Sequence, residues 1–444
     1  MKIHLIGIGG IGVSALAQYY LSKGHQVSGS DLVASEITDL LKKKGVEIFI
    51  GNSAENIKQD LDLVVYSPAV KKDNPELLQT TNYKLQTKSY PEALGDLTKE
   101  YYTIAIAGAH GKSTTTAMIG LVLTAAGLDP TVIVGTKLKE FSAQGGPASG
   151  WGSNFRAGNS KYLVIEACEY DSSFLNYSPK IIVVTNVDKE HLDYFKTFAN
   201  VKKAFKNFIL RLPLDGYLVF SDDKYIPKIA KPKFKAFRYS AKQKEFSKVK
   251  KILQVPGKHN VLNALAALKV AKLLGVLEKT ALKSLSEFKG TWRRFEERQV
   301  QILNFTPRGT GKFQIVIDYA HHPSEILATL KAAREKYKTE KIWCIFQPHQ
   351  HQRTYYLFND FVKTFRKVPI DQIIITDIYD VAGRETKTIN NEVSSEKLVK
   401  KINRKNVSYL PMENLEKYIK ENIKNGQVLI IMGAGDIYKL ADKF

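Results

Sequence analysis

An α/β chain built from three successive parallel-sheet units is predicted by three observations. Short apolar runs alternate with helix-patterned stretches along the whole length. Two of the runs end in glycine turns, at Gly7–Gly12 and Gly108–Gly111, that open directly into helices. Polar segments bearing acids or histidines follow several later runs, the place where open α/β sheets bind ligands.

In the first hundred residues the pattern predicts strands at 2–7, 26–29 and 62–66 and helices near 12–23, 36–44 and 89–98. This gives an N-terminal Rossmann-like parallel sheet over 1–100. A second unit, 101–297, opens on the strand 102–107 and continues through 162–165, 181–184 and a helix over 260–274. Its glycine turn marks it as a central P-loop ATPase-type α/β domain. The third unit, 298–444, is again Rossmann-like. Its strands are expected at 301–303, 314–317, 342–346, 373–375 and 428–431, and its helices at 322–336, 355–367 and 412–424. No internal repeat or low-complexity tract interrupts this order.

Composition narrows the class. The 444 residues are 44% hydrophobic and 25% charged, ordinary for a globular protein. No apolar run reaches the ~18 residues that span a bilayer, so no membrane insertion is expected. The chain enters its first strand at Lys2 without signal-peptide anatomy. Only two cysteines occur, Cys168 and Cys344, both expected in apolar surroundings, and the expected setting is a reduced cytoplasm. The formal charge of +22 suits anionic ligands. Its lysines are dispersed and lack interleaved aromatics, so a nucleic-acid partner is not expected.

The central turn, Gly108-Ala109-His110-Gly111-Lys112-Ser113-Thr114, lies between an apolar strand and a helix. Such a turn aims backbone N–H groups at a phosphate, Lys112 can reach the outer phosphates, and Ser113 can offer a hydroxyl to Mg2+. Ile106 stands where the common P-loop spacing has glycine. The first turn, Gly7-Ile8-Gly9-Gly10-Ile11-Gly12, with Asp31 after the second strand, by itself predicts a dinucleotide such as NAD. Glu169 follows strand 162–165 and is the preferred metal ligand, with Glu166 and Asp171 as structural acids. His191 lies close to acids after strand 181–184 and is weighed as part of a second cation site against a structural histidine. Asn260 can pair with an adenine edge or cap its helix. Arg294, near a domain junction, can address phosphates or form a surface ion pair. Asp318-Tyr319-Ala320-His321-His322 and Gln347-Pro348-His349-Gln350-His351-Gln352-Arg353 follow strands of the third unit. These loops are read as one binding face on neighbouring strand ends, for substrate rather than metal.

Taken in order, from Gly7 to Gly433-Ala434-Gly435-Asp436-Ile437, these segments resemble the Mur ligase family of ATP-dependent amide-forming enzymes of peptidoglycan synthesis. The branch signs are the first glycine turn, Ser28-Gly29-Ser30-Asp31, Asp318-Tyr319-Ala320-His321-His322-Pro323 and Phe346-Gln347-Pro348-His349. They point to the branch that joins L-alanine to the lactyl carboxylate of UDP-N-acetylmuramate through an acyl phosphate. The resemblance replaces NAD by the UDP-sugar on the first turn, at Gly9, Gly10, Ile11, Gly12, Ser30 and Asp31. It puts ATP on Gly108, Ala109, His110, Gly111, Lys112, Ser113, Thr114, His259, Asn260, Arg294 and Asp318. Mg2+ falls to Ser113, Glu169 and His191. His191, His321, His349 and Arg353 fall near the reacting carboxylate and the amino acid. Lys112, Arg294, His321 and His349 are the implied catalytic groups. A monomer or homodimer is implied.

Three departures from the family pattern stand out, and a fourth position, Phe205, agrees with the alanine-adding branch. Ser113 replaces a common threonine and keeps the hydroxyl. Cys168 replaces an aspartate beside Glu169. Gln350 replaces an arginine and removes a cation from the expected amino-acid carboxylate pocket. Phe205 falls where other branches carry a carbamylated lysine, with Lys203 and Lys206 nearby. The rival readings are a murein tripeptide ligase acting on the same sugar nucleotide, which Gln350 keeps open although Arg293-Arg294-Phe295 and the His349 segment favour alanine, and a nucleotide-binding regulator without catalysis. A nicotinamide dehydrogenase comes third.

Overall fold

The structure is a computed structural model that describes residues 1–141, 152–226, 228, 232–306, 309–380 and 392–444. It divides into two compact units. The first holds Met1–Lys189, Phe198–Ile252 and Leu262–Glu287; the second holds Glu190–Thr197, Leu253–Val261 and Phe288–Phe444. Among the described residues, no helix is long and apolar enough to cross a membrane.

The first unit contains two sheets. Strands β1 (Lys2–Ile6), β2 (Gln26–Asp31), β3 (Glu47–Ile50), β4 (Leu63–Tyr66) and β5 (Thr87–Ser89) form a parallel sheet in the order β3-β2-β1-β4-β5. The strand order reverses between β1 and β4, and the first glycine turn leaves β1 at that switch point, where such sheets open a crevice. β3 and β5 escape sequence reading for a physical reason. Each is a short edge strand: β3 is only four residues, too few to show an alternation, and Thr87-Lys88-Ser89 has no apolar residue. The helix Pro75–Asn82 is likewise short and mostly polar.

The second sheet comprises β6 (Tyr102–Ala107), β7 (Thr131–Leu138), β8 (Ser153–Arg156), β9 (Tyr162–Glu166), β10 (Ile181–Val184), β11 (Tyr217–Ser221) and β12 (Lys235–Tyr239). Its order is β12-β11-β10-β6-β9-β7-β8, parallel except for β8 against β7. β6, β9 and β10 are nearly continuous apolar runs because helices cover both faces. The helix Ile11–Ser22 of the first sheet packs on β7 and β8 of the second. A buried polar network joins them. Gln18 Nε2 donates to Asn154 Oδ1 at 2.8 Å, Asn154 Nδ2 donates to Ser14 Oγ at 2.9 Å, and Ser153 Oγ donates to Gln18 Oε1 at 2.9 Å.

The second unit holds β13 (Glu296–Thr306), β14 (Gly309–Asp318), β15 (Ile342–Phe346), β16 (Gln372–Ile375), β17 (Val407–Tyr409) and β18 (Val428–Met432), in the order β13-β14-β18-β15-β16-β17. β13 and β14 form a long antiparallel pair where the sequence suggested two short strands. β13 begins with Glu296-Glu297-Arg298-Gln299, an edge with one wet face that gives no apolar run. The helix expected over 355–367 is two helices, His351–Tyr356 and Phe358–Lys367, broken at Leu357. The helix expected from 412 starts at Leu415 after a short 3-10 turn.

One expectation about a single side chain changes, and another stands. Cys344 is buried, but Cys168 is exposed, because it lies just past β9 in the polar loop that carries Glu169. Phe205 is completely buried, edge to face with Phe174 at 5.5 Å, whereas Lys203 and Lys206 lie on the exposed side of the same helix. No lysine therefore shares Phe205's place in the core.

His4, inside β1, is completely buried, with Nδ1 2.9 Å from Ser28 Oγ. Burial pushes its pKa down from 6.5 to about 4. Between those values the unfolded chain binds the proton and the folded chain does not, so stability falls as pH drops from about 6.5 towards 4. Urea unfolding across that window should show a shallower pH slope for His4→Asn than for the parent; equal slopes would remove His4 from the acid response.

Candidate functional site

The central glycine turn is shaped by steric need. Gly108 has φ +141°, and a Cβ there would sit 2.0 Å from Thr185 Oγ1. Gly111 has φ +83°, and its Cβ would meet Asn263 Oδ1 at 2.6 Å. The loop is held by the segment after β10. His110 N–H donates to Asn186 Oδ1 at 2.9 Å, and Ala109 N–H donates to the Asn186 carbonyl at 3.2 Å. Asn186 Nδ2 and Thr185 Oγ1 donate to the His110 carbonyl at 2.9 and 2.6 Å. The His110 ring lies 3.2 Å from Asp188. Sequence reading singled out this segment for His191 and missed Thr185 and Asn186, because a bracing role leaves no motif.

The helix Lys112–Ala125 starts at Gly111 without a side-chain cap, so its first N–H groups and dipole face the turn. Lys112 Nζ donates to the Gly108 carbonyl at 2.5 Å and to Glu169 Oε2 at 3.0 Å. Burial alone would favour a neutral lysine, but the adjacent Glu169 carboxylate outweighs it and holds the ammonium above its usual pKa. Glu169 is only 1% exposed. Ser113 is half-buried beside this pair, and Thr114 is buried. Glu166 accepts from the Gly135 N–H at 2.7 Å, as a structural acid should.

On the first turn, Gly7 and Ile8 donate N–H to the Ser30 carbonyl, and Gly9 N–H donates to Asp31 Oδ2 at 2.8 Å. The helix Ile11–Ser22 opens at exposed Gly10 with no side-chain cap. Ser30, expected on the UDP-sugar, is completely buried and donates its hydroxyl to Glu76 Oε2 at 2.6 Å. It supports the turn from behind, and its side chain does not face the crevice.

The second unit gathers several of the remaining candidates. The Asp318 carboxylate accepts from Phe295 N–H at 2.8 Å, Ala320 N–H at 2.9 Å and Thr329 Oγ1 at 3.2 Å. Expected beside a ribose, it thus pins the Arg293–Phe295 segment, and burial raises its pKa. Arg294 lies 3.4 Å from Glu325 and over the Tyr319 ring. Arg293, unassigned from sequence, donates to the carbonyls of Gly433 and Gly435 at 2.7 and 2.8 Å. His321 and His349 do come together, with ring centroids 5.9 Å apart, but not on neighbouring strands as expected: β18 lies between β14 and β15. Burial, aided by Arg353, pushes His321 down to about 4, so the ring is neutral. Arg353 donates to the His349 carbonyl at 3.1 Å and lies 3.6 Å from Glu190. The Glu190 carboxyl is buried, which opposes ionisation, yet Arg353 and the nearby histidines hold it well below the usual range. Gln350 has φ +73° at the start of His351–Tyr356. Asn260 is buried, with Nδ2 donating to the Pro256 carbonyl at 2.7 Å, while His259 is half-buried. His191 has left-handed backbone at the start of Leu192–Phe195.

Two glycine turns at strand ends, one presenting a lysine beside a buried acid, define a nucleotide-binding α/β protein. Family comparison narrows this class. Residues 2–102 match the Mur ligase family catalytic domain, 106–271 the Mur ligase middle domain, and 303–435 the Mur ligase glutamate ligase domain. The chain belongs to the Mur ligase family. It is 39% identical to the UDP-N-acetylmuramate–L-alanine ligase of Acetivibrio thermocellus, covering all of this chain and 95% of the relative. It is 40% identical to the Clostridium tetani protein of the same name, covering all of this chain and 97% of that one. The crystal structure of the Thermotoga maritima UDP-N-acetylmuramate–alanine ligase superposes with TM-score 0.77 at 28% identity, over 100% of this chain and 98% of that one. A murein peptide ligase from Psychrobacter arcticus shares the fold, with TM-score 0.71 at 24% identity over 100% and 98% of the two chains.

Asn186 makes two of the side-chain bonds that fix His110, each worth about 1 kcal/mol. Asn186→Ala should therefore raise the KM for ATP roughly tenfold with little change in thermal midpoint. An unchanged KM would show that the brace does not set the loop.

Proposed function

We propose that this chain couples ATP cleavage to the joining of L-alanine to the lactyl carboxylate of UDP-N-acetylmuramate, in peptidoglycan precursor synthesis in the cytoplasm. The observation that carries the reading is the braced turn presenting Lys112 beside buried Glu169, in a chain matched end to end by alanine-adding relatives. Residues 1–100 are assigned the UDP-sugar, 101–297 ATP and magnesium, and 298–444 the amino acid.

A carboxylate oxygen attacks the γ-phosphorus, the bridging P–O bond breaks, and ADP leaves. The neutral amine of L-alanine then attacks the acyl carbon, and phosphate departs with the former carboxylate oxygen. Lys112, already charged, lies against the turn whose N–H groups would hold the phosphates, and its ammonium offsets charge on the transferring group. The hard oxygen donors of Glu169 and Ser113 fit magnesium, and a bound Mg2+ would neutralise charge on the phosphate oxygens. His191 as a further metal ligand rests on the family resemblance. So do Asn260, Arg294 and Asp318 on the nucleotide, and His321, His349 and Arg353 near the carboxylate and amino acid. The turn Gly9–Gly12 with Asp31 is assigned the UDP moiety. Gln350 keeps a tripeptide acceptor as the second reading, since it supplies no guanidinium for an amino-acid carboxylate.

Phosphate release from Mg-ATP and UDP-N-acetylmuramate should respond to L-alanine and not to the murein tripeptide; the opposite preference rejects the alanine assignment. Lys112→Ala should cut turnover by at least about a hundredfold while leaving UDP-sugar affinity intact. Loss of that affinity instead would contradict the division of ligands between the two turns.

A further inference from the structure

Tyr90 lies at the junction of the two sheets in the first unit. It is the first residue of the helix Tyr90–Glu100, which leaves edge strand β5 and leads into β6. A capping box of Ser89 and Glu92 fixes the start of this helix, and its body packs on the Tyr170–Asn176 turn that follows Glu169. The phenol is thereby laid across Gly12: a Cβ on Gly12 would be 2.8 Å from Tyr90 Cζ and 2.9 Å from its hydroxyl. Any larger residue at position 12 would displace the ring, so Gly12 and Tyr90 are a matched pair.

The hydroxyl has chemistry to offer. Tyr90 is half-buried, and among the described residues its hydroxyl has no hydrogen-bond partner. It sits on the first turn of the helix Ile11–Ser22, whose opening N–H groups carry no side-chain cap and favour an anion. A phenol keeps its proton at neutral pH and can donate to such an anion. Burial and the Glu166 carboxylate disfavour its ionisation further. A lysine or arginine there would be drawn to Glu166, whereas a neutral donor is not.

We propose that the Tyr90 hydroxyl hydrogen-bonds an oxygen of the diphosphate of the sugar nucleotide held on the Gly9–Gly12 turn. This rests on the assignment of that turn to UDP-N-acetylmuramate. Tyr90 is then a substrate-binding residue, and it lies on the element that joins the sugar-nucleotide sheet to the ATP sheet.

Equilibrium binding of UDP-N-acetylmuramate, UDP and uridine to the full chain and to Tyr90→Phe tests this. A bond to a charged oxygen predicts that the variant binds UDP-N-acetylmuramate and UDP about tenfold or more weakly, uridine equally, with the KM for ATP and the thermal midpoint unchanged. Gly12→Ala, which pushes the ring away, should reproduce the loss, and the double variant should lose little more. Equal affinity of Tyr90→Phe for UDP overturns the proposal, as does a loss confined to UDP-N-acetylmuramate, which would put the bond on the sugar or lactyl group. If the unaltered chain binds neither UDP compound, it is the assignment of the turn that fails.

Discussion

The pairing of Lys112 with Glu169 is the interaction on which the rest of the site depends. The acid is buried and the lysine nearly so, with side chains 1% and 15% exposed. Removing one partner of such a pair leaves the other charged in a poor solvent, which costs several kcal/mol. The fold therefore keeps a full positive charge at the end of β6, where a P-loop needs it. The same carboxylate keeps that lysine protonated and is the one assigned to the divalent cation in the proposed reaction. One charge pair thus serves both the stability of the turn and the chemistry assigned to it.

Rigidity around that pair comes from unremarkable residues. Thr185 and Asn186 hold the His110 carbonyl and amide, so the loop geometry is fixed by β10 as well as by its own glycines. The helix Ile11–Ser22 is held between the first sheet and the β7–β8 pair by Ser14, Gln18, Ser153 and Asn154. Within the second unit, Arg293 and Asp318 fasten the segment that carries Arg294 to β14 and to the loop after β18. Each brace joins sequence segments that lie far apart, and those on His110 and on the Arg294 segment end on backbone groups.

That distance explains what could be read from sequence. Lys112, Ser113 and Glu169 were legible because strand, glycine turn and helix occur in order and the chemistry is local. The buried strands β6, β9, β10, β15 and β18 were legible because both faces are covered and the run is apolar. β3, β5 and β17 were not, and of β13 only 301–303 was, since edge strands are short or need only one apolar face. Ser30 looks like a ligand-facing group in sequence, and only the fold shows Glu76 behind it; the three internal donors to Asp318, which stays assigned to the nucleotide, are likewise visible only in the fold. His321 and His349 were paired correctly, but through a β18 that follows them in the chain. Tyr90, Asn186 and Arg293 matter only through partners distant in sequence, and no local pattern marks them.

The most direct test follows the oxygen atoms. With 18O in the lactyl carboxylate of UDP-N-acetylmuramate, turnover with Mg-ATP and L-alanine should deliver one labelled oxygen to each phosphate released, because that oxygen first bonds the γ-phosphorus and then leaves the acyl carbon. Unlabelled phosphate accompanying amide formation would contradict activation of the acid at the Lys112 turn.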